Sequence, residues 1–79
     1  MVAWRWQFRQ EKRLCVVNHS DEQATGRILL TNAEPDNGQD TIPILELLQK
    51  QTYLRQVTTL RNTGLCVVLP PWNLQVFKY

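Results

Sequence analysis

Hydrophobic and polar residues alternate most regularly at the start of the chain, over residues 2–9. Aromatic side chains occupy every second position there, and basic or polar side chains stand between them. The aromatic residues are Trp4, Trp6 and Phe8, and the residues between them are Arg5, Gln7 and Arg9. Because neighbouring side chains of a strand point to opposite faces, this pattern predicts a half-exposed β-strand with one aromatic face.

A short apolar run, Leu14–Val17, predicts a second strand. With Glu11 and Lys12 as the turn, the two strands would form a hairpin in which Phe8 faces Cys15 and Trp6 faces Val17. Aromatic residues opposite β-branched ones stabilise such a pair by roughly 0.2–1 kcal/mol each.

A second hairpin is predicted between residues 57 and 69. β-branched residues begin it at Val57, the apolar run Leu65–Leu69 ends it, and Arg61–Gly64 supplies a glycine-containing turn. An apolar run without alternation is typical of a strand covered on both faces, so Cys66, Val67 and Val68 are expected at the centre of the core. The letters LCVV occur at 14–17 and again at 65–68, and we interpret both segments as central, neighbouring strands.

One amphipathic helix is predicted from Ile42 to Gln51, because Ile44, Leu47 and Leu48 follow helical spacing and Pro43 fits a first turn. The remaining segments follow from composition. They are a strand at Arg27–Thr31, an exposed mobile loop at Asn32–Asp40, a strand end at Pro70–Pro71 and a last strand at Trp72–Tyr79.

The predicted order is therefore β-β-β-α-β-β-β. It indicates a single α+β domain over residues 1–79, built as a small, mostly antiparallel sheet or a partly open barrel with one short helix. A net charge of +2 favours no class of partner, although the middle of the chain is acidic and both ends are basic. Charged residues interrupt the N-terminal segment, and no run is long enough to span a membrane, so we expect a cytoplasmic protein without a membrane partner.

Few residues are candidates for chemistry. The glycines are isolated, which excludes a glycine-rich phosphate loop. Cys15, His19 and Cys66 could form a thiol–imidazole or zinc site only if the two LCVV strands were neighbours, and both cysteines have the apolar surroundings of buried, reduced thiols. We expect no enzyme activity and no catalytic, cofactor or metal site.

Binding is the remaining class of function. The aromatic strand has more apolar surface than a small monomer is expected to cover. We therefore predict a protein-binding regulatory module that also associates with itself, with a homodimer as the expected state. The alternative is a nucleic-acid-binding protein similar to an OB-fold, using the basic loops Gln10–Arg13 and Arg61–Gly64. The candidate partner-binding residues are Trp4, Arg5, Trp6, Arg9, Lys12, Arg13, Arg61 and Trp72.

Overall fold

The computed structural model describes residues 1–35 and 38–79, and these residues form seven strands and one helix. The elements are β1 (Val2–Phe8), β2 (Glu11–Val17), β3 (Ala24–Ile28), β4 (Thr41–Glu46), β5 (Gln51–Gln56), α1 (Val57–Asn62), β6 (Leu65–Leu69) and β7 (Leu74–Lys78). The predicted class, a small and mostly antiparallel α+β fold with one short helix, is confirmed. The predicted order is wrong, because five strands precede the helix and two follow it.

Two antiparallel sheets contain these strands. The larger sheet has the order β1-β2-β7-β4-β5, and the smaller sheet pairs β3 with β6. The larger sheet ends at β1 on one side and at β5 on the other within the described residues, so it is an open sheet.

The hydrophobic core lies between the two sheets. The inner face of the larger sheet contributes apolar side chains from β2, β4 and β7, and the opposite layer contributes β6, α1 and the segment after β3. The buried core residues are Leu14, Val16, Leu30, Ala33, Ile42, Ile44, Val57, Leu60, Leu65, Val67, Leu69 and Phe77. We call the other side of the larger sheet its outer face.

The predicted helix at Ile42–Gln51 is wrong, because this segment contains the strand β4, a four-residue turn and the first residue of β5. Ile42 and Ile44 are buried on the inner face with strand periodicity. Pro43 has no N–H to donate to a neighbouring strand. It is tolerated in β4 because β7 pairs only with Leu45 and Glu46, so Pro43 has no partner in β7 that would accept from this N–H.

The predicted hairpin turn at Arg61–Gly64 is also wrong, because α1 occupies the preceding residues and carries the chain from the larger sheet to the smaller one. Val57 and Leu60 are its buried residues, three positions apart. Asp40 binds its first turn: its carbonyl oxygen accepts from the Val57 N–H at 2.6 Å, and its carboxylate accepts from the Thr58 N–H at 3.4 Å and the Thr58 hydroxyl at 3.1 Å.

Gly64 ends this helix. It has a φ of +100°, which favours glycine, and a Cβ added there would lie 3.0 Å from the main chain of Ile28. Its N–H donates to the Thr59 carbonyl oxygen at 2.8 Å, which closes the last turn. This residue therefore lets the chain leave the helix in close contact with the end of β3.

The two LCVV segments are strands, as predicted, but they are not neighbours. Leu14–Val17 lies in β2 of the larger sheet, whereas β6 pairs with β3 in the smaller sheet. β6 also alternates between buried and exposed residues, so Cys66 and Val68 are exposed while Val67 is buried. The expectation that Cys66 and Val68 lie in the core is wrong, because the outward side of the smaller sheet is uncovered in the described part of the chain.

The N-terminal hairpin is present with a different register. Its turn residues are Arg9 and Gln10, and Trp4 and Trp6 stand opposite Cys15 and Arg13. The predicted pairs of Phe8 with Cys15 and of Trp6 with Val17 are wrong, because the turn lies two residues earlier than expected.

Three smaller expectations have mixed outcomes. The third strand is Ala24–Ile28, three residues before the predicted one, whereas β6 ends before Pro70, as predicted. A last strand follows, but β7 spans Leu74–Lys78 and not the predicted Trp72–Tyr79, because Trp72 lies in the turn. Within the predicted loop Asn32–Asp40, no helix or strand is assigned to residues 32–35 or 38–40, although Gln39 makes an isolated bridge. Asp36 and Asn37 lie outside the described residues, and the predicted mobility stays a prediction.

Candidate interaction surface

An apolar row lies along β1 on the outer face of the larger sheet. We use this name for the side chains of Val2, Trp4, Trp6 and Phe8. The exposed fraction is 50% for Trp4 and 47% for Trp6, and it is higher for the other two residues. Side chains of this size are normally more fully covered, so four of them exposed in one row is a departure from ordinary burial.

The apolar row continues across the sheet. The registers place Cys15 and Val76 beside Trp4, and Val17 and Leu74 beside Val2, whereas Leu54 lies on β5 at the opposite edge of the sheet. An aromatic side chain carries 150–250 Å² of surface, so the three half-exposed aromatic residues with the exposed Leu74 present an apolar area of roughly 450 Å². This area is within the range of the largest patch on a typical monomer, and such a patch often marks a binding surface.

The opposite face of β1 is held to the rest of the molecule by polar contacts. The Arg5 guanidinium donates to the Asn32 side-chain oxygen at 3.3 Å, and the Tyr79 hydroxyl donates to the same oxygen at 2.6 Å. Burial raises the pKa of Tyr79, although the Asn32 hydrogen bond and the nearby Arg5 charge oppose that rise. Arg5 therefore anchors the strand and does not lie on the outer face.

Positive charge borders the aromatic residues on the outer face. Arg13 stands opposite Trp6 on β2, and Lys78 stands opposite Arg13 on β7. The Arg9 guanidinium lies 5.2 Å from the centre of the Phe8 ring, which is a cation–π distance. Glu11 lies 3.8 Å from Arg13 and offsets part of this charge.

Lys12, Arg61 and Trp72 lie away from the apolar row. The Lys12 side chain is buried on the inner face, 3.7 Å from the Glu34 carboxylate, and it lines a cleft of about 410 Å³. Arg61 is an exposed residue of α1. Trp72 is exposed in the turn before β7, where its main-chain N–H donates to the Ser20 carbonyl oxygen at 3.2 Å.

The two free thiols have different surroundings. Cys15 is buried on the outer face beside Trp4, and this burial raises the pKa of its thiol, whereas Cys66 is exposed on β6. In the described residues, no group of three or more His, Cys, Asp or Glu side chains is arranged to hold a metal ion.

Iodoacetamide should therefore distinguish the two thiols in the folded protein. Cys66 should be alkylated at least about tenfold faster than Cys15, because alkylation needs an accessible thiolate. Mass spectrometry of timed samples measures both rates, and the urea-unfolded chain, where the rates should converge, is the control. Equal rates in the folded state would contradict the burial of Cys15.

Trp4 and Trp6 were predicted to share a face, whereas Val2, Phe8, Leu74 and Lys78 were not among the predicted binding residues. The alternation within residues 74–78 was the available signal for Leu74.

Comparison with protein-family models, with curated proteins and with solved structures finds no match to this chain. Within the described residues, no helix has both the length and the apolar character needed to cross a membrane.

Proposed function

We propose that this chain is a non-enzymatic protein-binding module that works through the apolar row and its neighbours on the outer face, and that a second copy of the chain is one partner. One observation carries the proposal: about half of each of two tryptophan side chains is exposed side by side on a regular strand. Aromatic residues are enriched at protein interfaces and supply most of the binding energy there.

The measurement is the molar mass of the protein by light scattering after size exclusion, over a wide range of concentration. The unaltered protein should associate at micromolar concentration, because an interface built on a patch of this size lies at the small end of the known range. The double variant Trp4→Lys/Trp6→Lys should remain monomeric, because it sets four ammonium groups against each other in the dimer.

A matched control is available on the smaller-sheet side of the molecule. Leu29 and Val68 are each 49% exposed, so Leu29→Lys/Val68→Lys changes charge and exposed apolar surface to a similar extent away from the apolar row. The control variant should associate like the unaltered protein. A monomeric unaltered protein at every concentration, or equal loss of association in both variants, would contradict the proposal.

Single-stranded nucleic acid is the second candidate partner, and the position of Arg13 and Lys78 beside Trp6 favours it. Aromatic side chains stack on bases, and cations beside them can meet the phosphates. The OB-like loop pair is not available, since residues 61–64 comprise the end of α1 and the turn before β6. Titration of a labelled oligonucleotide at low salt decides this point: binding that weakens with salt and is lost in Arg13→Glu/Lys78→Glu would support the second candidate.

A further inference from the structure

The main-chain groups at the free edge of β1 can be assigned from one hydrogen bond of the neighbouring strand. The Tyr79 N–H donates to the Lys12 carbonyl oxygen at 3.2 Å, so the main chain of Lys12 faces β7. Gln7 stands opposite Lys12, and its N–H and C=O therefore point away from β2. The same alternation directs the main-chain groups of Ala3 and Arg5 to the free edge.

We infer that two copies of the chain join edge to edge by antiparallel pairing of β1, with Trp4 or Trp6 on the two-fold axis. This inference rests on the proposed function and deepens it, because it names the second copy as the partner and β1 as the contact. The larger sheets of both copies would then form one continuous sheet, and the two apolar rows would become neighbours on its outer face.

The edge of β1 carries one of the features that usually prevent such pairing, the charge of Arg5, and lacks the others. Proteins protect free edges with charged side chains, proline, bulges, short strands or a covering segment. The Arg5 guanidinium is engaged by the Asn32 side chain of its own chain. β1 has seven residues, contains no proline and pairs with β2 without a bulge from Val2 to Phe8. All of its residues are exposed in the described structure. The other end of the sheet, β5, has mainly polar residues and places only Leu54 as a large apolar side chain on the outer face.

The side chains restrict the register. An axis through Arg5 would place two guanidinium groups directly opposite each other, which destabilises a strand pair. An axis through Gln7 would set Arg5 opposite Arg9 of the second copy, with the same result. An axis through Ala3 would pair only residues 1–5 and would leave Trp6 and Phe8 without a partner. An axis through Trp4 sets Val2 opposite Trp6, and an axis through Trp6 sets Trp4 opposite Phe8.

Both tryptophan-centred registers pair aromatic side chains with apolar ones on the outer face. On the other face they set Arg5 opposite a neutral residue, either Ala3 or Gln7 of the second copy. Each register also uses main-chain groups that point outward in both copies. The hydrogen bonds of the new ladder and the burial of the apolar row therefore both stabilise the dimer.

Proline substitution tests the main-chain pairing of β1 while keeping the side chains of the apolar row. In Ala3→Pro/Arg5→Pro, two of the three outward N–H groups are lost and two rings occupy the free edge, whereas the ladder with β2 and the apolar row are unchanged. The variant should associate at least about tenfold more weakly than the unaltered protein, by light scattering or sedimentation. The control Ala3→Ser/Arg5→Ala, which keeps both N–H groups, should still associate, and circular dichroism reports whether each variant is folded.

Cross-linking gives a second readout in case the proline variant does not fold. At the axis the two Cα atoms of a non-hydrogen-bonded pair lie about 4.5 Å apart, within disulfide range. In a chain with Cys15→Ala and Cys66→Ser, either Trp4→Cys or Trp6→Cys should oxidise to a covalent dimer. Gln7→Cys should not, because an axis through residue 7 still sets Arg5 opposite Arg9. Cross-linking at Gln7, or at none of the three positions, would overturn the inference.

The outcomes separate this inference from the proposed function. If the folded proline variant associates like the unaltered protein while Trp4→Lys/Trp6→Lys is monomeric, the edge pairing is wrong and the apolar row is still the contact. If the unaltered protein is monomeric at every concentration, both are wrong. Loss of association in the proline variant, with retention in its control, supports the pairing of β1.

Discussion

Replacing Glu46 by alanine should lower the free energy of unfolding by about 3 kcal/mol, because a buried carboxylate and three hydrogen bonds are lost together. Glu46 is 1% exposed, and its carboxylate accepts from the N–H groups of Leu48 at 3.1 Å, Gln49 at 2.6 Å and Val76 at 3.3 Å. These bonds fix the turn between β4 and β5 and tie it to β7. Urea denaturation, followed by circular dichroism, measures the change.

Glu22 provides the control for this substitution. It is an exposed glutamate in the turn before β3, and Glu22→Ala should change the free energy of unfolding by less than about 0.5 kcal/mol. All proteins are compared at one concentration below that of self-association, because association would add to the apparent stability. A loss below about 1 kcal/mol in Glu46→Ala would show that water replaces the carboxylate at little cost.

Asn18→Asp should destabilise the fold by a similar amount, about 3 kcal/mol, because it sets a carboxylate against main-chain carbonyl oxygens. The Asn18 amide is 1% exposed and donates to the carbonyl oxygens of Glu22 at 2.8 Å and Leu69 at 3.1 Å, while its oxygen accepts from the Ser20 hydroxyl at 2.8 Å. One side chain thus joins the end of β2 to the following turn and to the end of β6.

Asn73 is the matched control, since it is an exposed asparagine whose side chain donates to the Pro71 carbonyl oxygen at 2.8 Å. Asn73→Asp should change the free energy of unfolding by less than about 1 kcal/mol in the same urea experiment. If Asn18→Asp were no more destabilising than this control, the amide of Asn18 would not be what joins the two sheets.

Strands with a clear pattern could be predicted from the sequence, but the chain between them could not. Alternation located β1 and β7, and apolar runs located β2 and β6. In the segment from Ile42 to Leu48, apolar residues fit both the helical and the strand period, and the β-branched isoleucines were the evidence for a strand. The β-branched start at Val57 favoured a strand, yet burial of Val57 and Leu60 and the hydrogen bonds to Asp40 stabilise a helix there.

The candidate surface could be predicted only in part, for a similar physical reason. The common face of Trp4 and Trp6 follows from local alternation. Whether that face is covered depends on the side of the larger sheet against which the other elements pack, and in the described residues the core lies on the inner side. Such a tertiary contact leaves no local signal in the sequence. The burial of Lys12 and the separation of Arg61 from the aromatic residues also follow from tertiary contacts.

The central place of β7 has a consequence for how this molecule is made. β7 is the last element in chain order, yet it lies between β2 and β4 and supplies Phe77 to the core. During translation, the N-terminal hairpin and the β4–β5 hairpin emerge from the ribosome before the strand that joins them. The two hairpins are therefore joined only after β7 has been synthesised, and until then the apolar inner faces of both hairpins are open to water and to chaperones.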